Sequence, residues 1–149
     1  MADYEGEDRA GAFPALLRAH AAVLCHLTRE LEAETGLPLT WYEVLLHLNA
    51  APDRRLRIQE LADRVILSRS RVSRLVDELT RAGLVERQSD PADGRGCFAA
   101  LTPDGRRRLR RAAPVHLRGI EEHFSRHLSP AEEATVKTVL ERVVAAEAE

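Results

Sequence analysis

The stretch Ser68-Arg69-Ser70-Arg71-Val72-Ser73-Arg74-Leu75-Val76-Asp77-Glu78-Leu79 decides the fold. Val72, Leu75, Val76 and Leu79 fall at i, i+3, i+4 and i+7, the apolar stripe of a helix. Ser68 stands at the N-cap position, and Gly83 follows as a stop. Away from the stripe lie Ser70, Arg71, Ser73, Arg74, Asp77 and Arg81. Just upstream, Ile58, Leu61, Ala62 and Val65 repeat the spacing, and Ile66-Leu67-Ser68 interrupts it. Two helices of this size joined by a few residues outline a helix-turn-helix.

Downstream the period changes. Leu84 to Gln88 and Cys97 to Leu101 read as short strands around Asp90-Pro91-Ala92-Asp93-Gly94-Arg95-Gly96, which is dense in turn residues. That predicts a hairpin with a long charged tip, and a hairpin after a helix-turn-helix makes a winged helix. Asp53 to Arg57 reads as a polar link ending in a short strand.

Further out, residues 1–11 form a polar tail. Leu16, His20, Val23/Leu24, Leu27 and Leu31 recur at helical spacing from about Phe13 to Gly36. Thr40 and Glu43 stand in capping-box positions and open a short helix, Trp41 to about Asn49. Thr102-Pro103 opens a long helix to about His127, with Pro114 as a kink. Ser129-Pro130-Ala131-Glu132 caps a last helix with Val136, Val139/Leu140 and Val143 on one stripe. The fold class is therefore mainly α with a small β-hairpin wing. The expected division is one domain, 1–149, with dimerisation helices over about 12–36 and 104–147 and a winged-helix lobe over about 40–102. The apolar stripes of the flanking helices need a partner, and the simplest is a second copy of the chain.

The 149 residues carry 22 Lys+Arg against 24 Asp+Glu, a formal net charge of -2. That total hides an asymmetry. Residues 54–111 hold 15 Arg against 8 acids, a net +7, and the remainder is -9. A basic centre between acidic arms suggests an anionic partner. No apolar run is long enough for a membrane span. Asp3, Glu5, Glu7 and Asp8 stand where a signal peptide would be positive, and two cysteines make no disulfide framework. A reduced, cytoplasmic protein is expected. There is no Gly-rich phosphate loop, no nucleophile motif and no convincing metal set, so neither an enzyme nor a cofactor is expected.

The outward face of the 68–81 helix suits DNA. Arg binds guanine O6 and N7 bidentately, and Ser bonds to base edges or phosphate. Ser68 and Arg69 stand at the helix N-terminus, which favours phosphate. Arg95 sits between Gly94 and Gly96, where an Arg on a slender ribbon can enter a minor groove, and Asp90 or Asp93 can orient it or cap the turn. A solvated basic helix and an ordinary turn are the plain alternatives. The helix-turn-helix setting favours DNA contact.

Residues 54–105 closely resemble the MarR family of winged-helix transcription regulators. The resemblance rests on Ile58-Gln59-Glu60-Leu61-Ala62-Asp63-Arg64, on residues 68–79, and on Gly83-Leu84-Val85-Glu86-Arg87. The wing extends it, from Asp90-Pro91-Ala92-Asp93-Gly94-Arg95 through Leu101-Thr102-Pro103-Asp104-Gly105. The resemblance implies a homodimer on palindromic double-stranded DNA, and a repressor is the kind of regulator expected. Recognition helices would read the major groove and wings the minor groove. Ser68, Arg69, Ser70, Arg71, Ser73, Arg74, Asp93 and Arg95 are the DNA-binding candidates. Ile66 departs from the family, whose turn often has Gly there.

Members of this family are often released by phenolic ligands, for which Arg18, His20, Trp41, Tyr42 and His47 are candidates. Ordinary core packing is the alternative for each. Cys25 reads as a buried inert thiol, and Cys97 has no evident partner. His123 and His127 fall at i, i+4, with Glu122 near and His116 two turns earlier, but no third ligand is evident. Other readings are a winged-helix protein-interaction module without specific DNA binding, and a metal- or redox-responsive regulator.

Overall fold

Val72, Val76 and Leu79 are fully buried, as the spacing predicts, on a helix spanning Arg69–Arg81. In the computed structural model, residues 11–65 and 67–148 are described. Most of the polar tail and Ile66 lie outside them. In chain order the elements are α1 (Ala12–Thr35), α2 (Leu39–Ala50), β1 (Arg55–Arg57), α3 (Ile58–Val65), α4 (Arg69–Arg81), β2 (Val85–Asp90), β3 (Asp93–Leu101), α5 (Pro103–His123) and α6 (Pro130–Glu147). Short 3-10 turns, Pro52–Arg54 and Ser125–His127, precede β1 and α6. The fold is mainly helical with a small antiparallel sheet in the order β1-β3-β2. No helix among the described residues is long and apolar enough to cross a membrane.

The chain divides into two compact units. Leu31–Val115 forms one, and the chain ends, through Glu30 and from His116, form the other. The core of the first unit is built from Leu31, Leu37, Val44, Leu45, Leu48, Leu61, Val72, Val76, Leu79 and Ala99, all without exposed surface.

Local chemistry sets most boundaries. α1 and α4 stop at glycines with positive φ, +66° at Gly36 and +75° at Gly83. Ser68 caps α4 by accepting the Arg71 backbone N–H at 3.3 Å. Ser129 and Glu132 close a full capping box on α6. The segment Leu101-Thr102-Pro103-Asp104-Gly105 joins wing to helix. Thr102 Oγ1 donates to the Gly83 carbonyl at 2.8 Å and accepts the Gly105 N–H at 3.0 Å. Gly105 packs so tightly that an added Cβ would lie 2.0 Å from the Leu84 carbonyl oxygen.

Four expectations need correction. α2 starts at Leu39 with Pro38 as its N-cap and no side-chain cap bond. Thr40 and Glu43 lie inside the helix, because buried Leu37 and Leu39 anchor the entry and the Pro38 carbonyl accepts the Trp41 and Tyr42 N–H groups. The hairpin tip is short. Pairing continues to Asp90↔Asp93, with a bulge at Ser89/Asp90, leaving Pro91 and Ala92 as the turn. Asp90 supports this by accepting the Ala92 N–H at 2.9 Å. α5 passes through Pro114 and closes at His123, not His127, since Phe124 takes φ -134°, ψ -68°. Cys25 is exposed rather than buried. Leu27 and Leu31 fix the buried side of α1, and Cys25 lies about 200° round the helix from Leu27.

Candidate nucleic-acid interface

The winged unit sorts its arginines into two groups. One group holds the fold. Arg57 pairs with Asp90, a buried charged side chain beside the wing turn. The guanidiniums of Arg55 and Arg57 flank the Phe98 ring, 4.8 and 5.5 Å from its centroid. Arg55 also donates to Gln88 at 3.3 Å. Arg87 on β2 donates to Ser73 Oγ at 3.0 Å and to the Ser73 carbonyl at 3.2 Å, and pairs with Asp77 at 2.9 Å. Arg87 therefore ties the wing strand to the outer face of α4.

The other group is unengaged. Arg71 and Arg74 project from exposed positions of α4, and their guanidiniums have no hydrogen-bond partner among the described residues. Arg95 is likewise exposed on β3 with a free guanidinium. Asp93 does not hold that guanidinium. Its carboxylate accepts the Arg95 backbone N–H at 3.1 Å, which fixes the turn and leaves the side chain free to project. Arg69 donates to Gln59 of α3. Ser68 Oγ lies 3.2 Å from Ser70 Oγ, at the exposed start of α4.

The structure brings part of this set together. Arg69, Asp93 and Arg95 line one open cleft of about 320 Å³ with Arg57, Gln59 and Gly96. Its walls come from the α4 N-terminus, the start of α3 and the wing. Guanidiniums without carboxylate partners beside a helix N-terminus make a surface suited to phosphate oxygens and base edges.

The family comparison bears on this geometry. A family model described as MarR family matches residues 35–96. The HTH-type transcriptional regulator YkoM of Bacillus subtilis (strain 168) is 32% identical over 125 residues, covering 84% of this chain and 79% of the relative. The chain belongs to the MarR family. The HTH-type transcriptional repressor YetL of the same organism is 31% identical over 103 residues, 67% of this chain and 62% of that one. The crystal structure of Sco3205, a MarR family transcriptional regulator from Streptomyces coelicolor in complex with DNA, superposes with a TM-score of 0.87. It is 32% identical and covers 97% of this chain and 90% of its own. Members of this family are transcription regulators, not enzymes.

Among the residues expected from sequence to meet DNA, Ser73 also has a partner within the fold. It is engaged by Arg87, an interaction that local spacing could not reveal because the partners lie 14 residues apart on different elements. Of the effector candidates, Arg18 and His20 stand in the unit of the chain ends, and Trp41, Tyr42 and His47 in the winged unit. Tyr42 is buried, and burial raises its hydroxyl pKa above the usual value. The Trp41 indole N–H donates to Glu78 at 3.3 Å. His20 lines an apolar pocket of about 220 Å³ with Leu16, Val23, Leu24, Leu27 and Phe124. Cys97, expected to be isolated, lies 3.5 Å from Arg87 Nη1.

Proposed function

We propose that this DNA-binding transcription regulator is a homodimeric repressor that reads a palindromic operator. Each α4 would enter the major groove and each wing the minor groove. The observation that carries this reading is the set of free guanidiniums on Arg71, Arg74 and Arg95, held on α4 and the wing while Arg55, Arg57 and Arg87 fix the scaffold. Ser68, Arg69, Ser70 and Ser73 would contact phosphate or base edges from the same helix, with Asp93 shaping the wing turn. The DNA complex of the 32% identical Sco3205 and the repressor among the curated relatives support the same reading.

A second copy is supported by apolar surface on the chain-end unit. Phe13, Leu16, Leu17, Val139, Val143 and Val144 are large apolar side chains left exposed on α1 and α6. Patches of this kind mark interaction surfaces, and a self-complementary pairing covers them symmetrically. The chain would then act as one MarR-like module over 1–149, in the cytoplasm. Half-sites would be centred about 10 bp apart, or a multiple of that. For a small aromatic effector, the apolar pocket beside His20 has the best support.

A gel-shift with the DNA upstream of its own coding region, against random DNA, tests the reading. Specific retardation is expected, with a footprint symmetric about a dyad. Equal binding to both DNAs, or to neither, would favour the protein-interaction module. Raised melting temperature with a phenolic acid, lost in His20→Ala, would support the effector pocket; no shift in the wild type would remove it.

A further inference from the structure

Three ligand-type side chains converge in the chain-end unit, none of them among the residues assigned to DNA. His26 and Glu30 stand one turn apart on α1, and His123 ends α5. His123 Nε2 lies 2.8 Å from Glu30 Oε1. The His26 and His123 rings stack with centroids 4.3 Å apart and planes 16° from parallel. One ligand atom from each of the three lies within 4.8 Å of the others. The side chains of His123 and Glu30 are 18% and 29% exposed, so the cluster is sheltered but reachable.

The backbone is arranged for this approach. Gly119, one turn before His123, is buried against α1, and a Cβ there would lie 2.7 Å from Leu27 Cδ2. A glycine at that point lets α5 come close enough for His123 to reach the adjoining His26 and Glu30. His127, which shares an i, i+4 spacing with His123, is exposed on the separate 3-10 turn and lies outside the cluster.

We propose that His26, Glu30 and His123 form a binding site for a divalent transition-metal ion, with zinc the best match. Two imidazoles and a carboxylate are the donors zinc takes, in a tetrahedral arrangement whose fourth position is left to water or another donor. Zinc bonds of about 2.0–2.2 Å place neighbouring ligand atoms about 3.3 Å apart. The observed separations, from 2.8 Å up to 4.8 Å, bracket that value, so side-chain rotation closes the site. The metal would displace the Glu30–His123 hydrogen bond and take His123 as a neutral imidazole, with its ring proton on Nδ1 and Nε2 on the ion. It would also need the His26 lone pair now facing Arg29 Nη2 at 2.9 Å. Arg29 is exposed, and such a contact is readily given up. Copper(II) would bind more tightly still by the general order of affinities, so cellular selectivity would rest on availability.

Calorimetric titration of the full chain with zinc chloride at neutral pH tests the site, alongside His123→Gln, Glu30→Gln and His127→Ala. One zinc per chain is expected, with a rise in melting temperature. His123→Gln should weaken binding about 100-fold or more, beyond the usual effect of losing a residue that only supports a ligand. Glu30→Gln, which keeps the side-chain shape, should also weaken it, and His127→Ala should leave it unchanged. Circular dichroism confirms that each variant remains helical. Absence of zinc binding by the wild type overturns the proposal. So does wild-type affinity in folded His123→Gln or Glu30→Gln, since exposed histidines elsewhere would then be the ligands.

Discussion

The winged unit and the chain-end unit solve opposite problems. The first closes its own core, with Leu45, Leu48, Leu61 and Leu79 entirely buried, and leaves cationic groups outside. The second leaves apolar groups outside, with Phe13 63%, Val143 56% and Val144 70% exposed. One surface therefore seeks an anion and the other an apolar partner. The near-neutral charge of the whole chain conceals this, because acidic segments offset a basic centre.

The largest expected effect falls on the apolar surface. Val143→Asp should separate the proposed dimer, since each subunit loses the burial of the exposed part of a Val, about 1–1.5 kcal/mol, and gains a charge to desolvate. Light scattering after gel filtration should show monomers at concentrations where the wild type is dimeric. Leu79→Ala tests the self-contained core and should destabilise folding by about 2–5 kcal/mol, read from denaturant unfolding. If that variant unfolded with wild-type stability, the winged unit would not depend on its core as described.

Smaller effects sharpen the cationic side. Arg74→Ala should weaken operator binding by about 1–3 kcal/mol with dimer and fold intact, measured by fluorescence anisotropy. Ser68→Ala removes the α4 cap and should cost about 1 kcal/mol of stability. The smallest effect concerns His116, whose pKa burial holds below the ordinary value. The unfolded chain then binds a proton more readily than the folded one, so stability should fall as pH drops below about 6.5. His116→Gln should flatten that part of the stability profile.

What the sequence revealed was what depends on short range. The i, i+3, i+4, i+7 stripe of α4, the caps at Ser68 and Ser129 and the stops at Gly36 and Gly83 are each decided within a few residues. So is Thr102-Pro103-Asp104-Gly105, although the reason for its glycine, contact with the Leu84 carbonyl, needed the fold. Errors arose where tertiary contacts outweighed local preference. Buried Leu37 and Leu39 began α2 ahead of the Thr40 signal, and sheet pairing shortened the wing tip. The division of the arginines was hidden for the same reason. Arg57 and Arg87 are alike in sequence to Arg71 and Arg74, and only their partners, Asp90 and Asp77, set them apart. The His26, Glu30 and His123 cluster joins residues more than 90 positions apart, beyond any spacing rule.

The most direct test of the central claim is the salt dependence of operator binding by the wild type and by Arg95→Ala. Arginines that neutralise phosphates release counterions, so log affinity should fall steeply and linearly with log salt. Arg95→Ala should bind more weakly while remaining dimeric, and, if its guanidinium meets a phosphate, its slope should be shallower by about 1 per site. A flat salt response in the wild type, or unchanged affinity in Arg95→Ala, would contradict a wing and recognition helix that bind DNA through free guanidiniums.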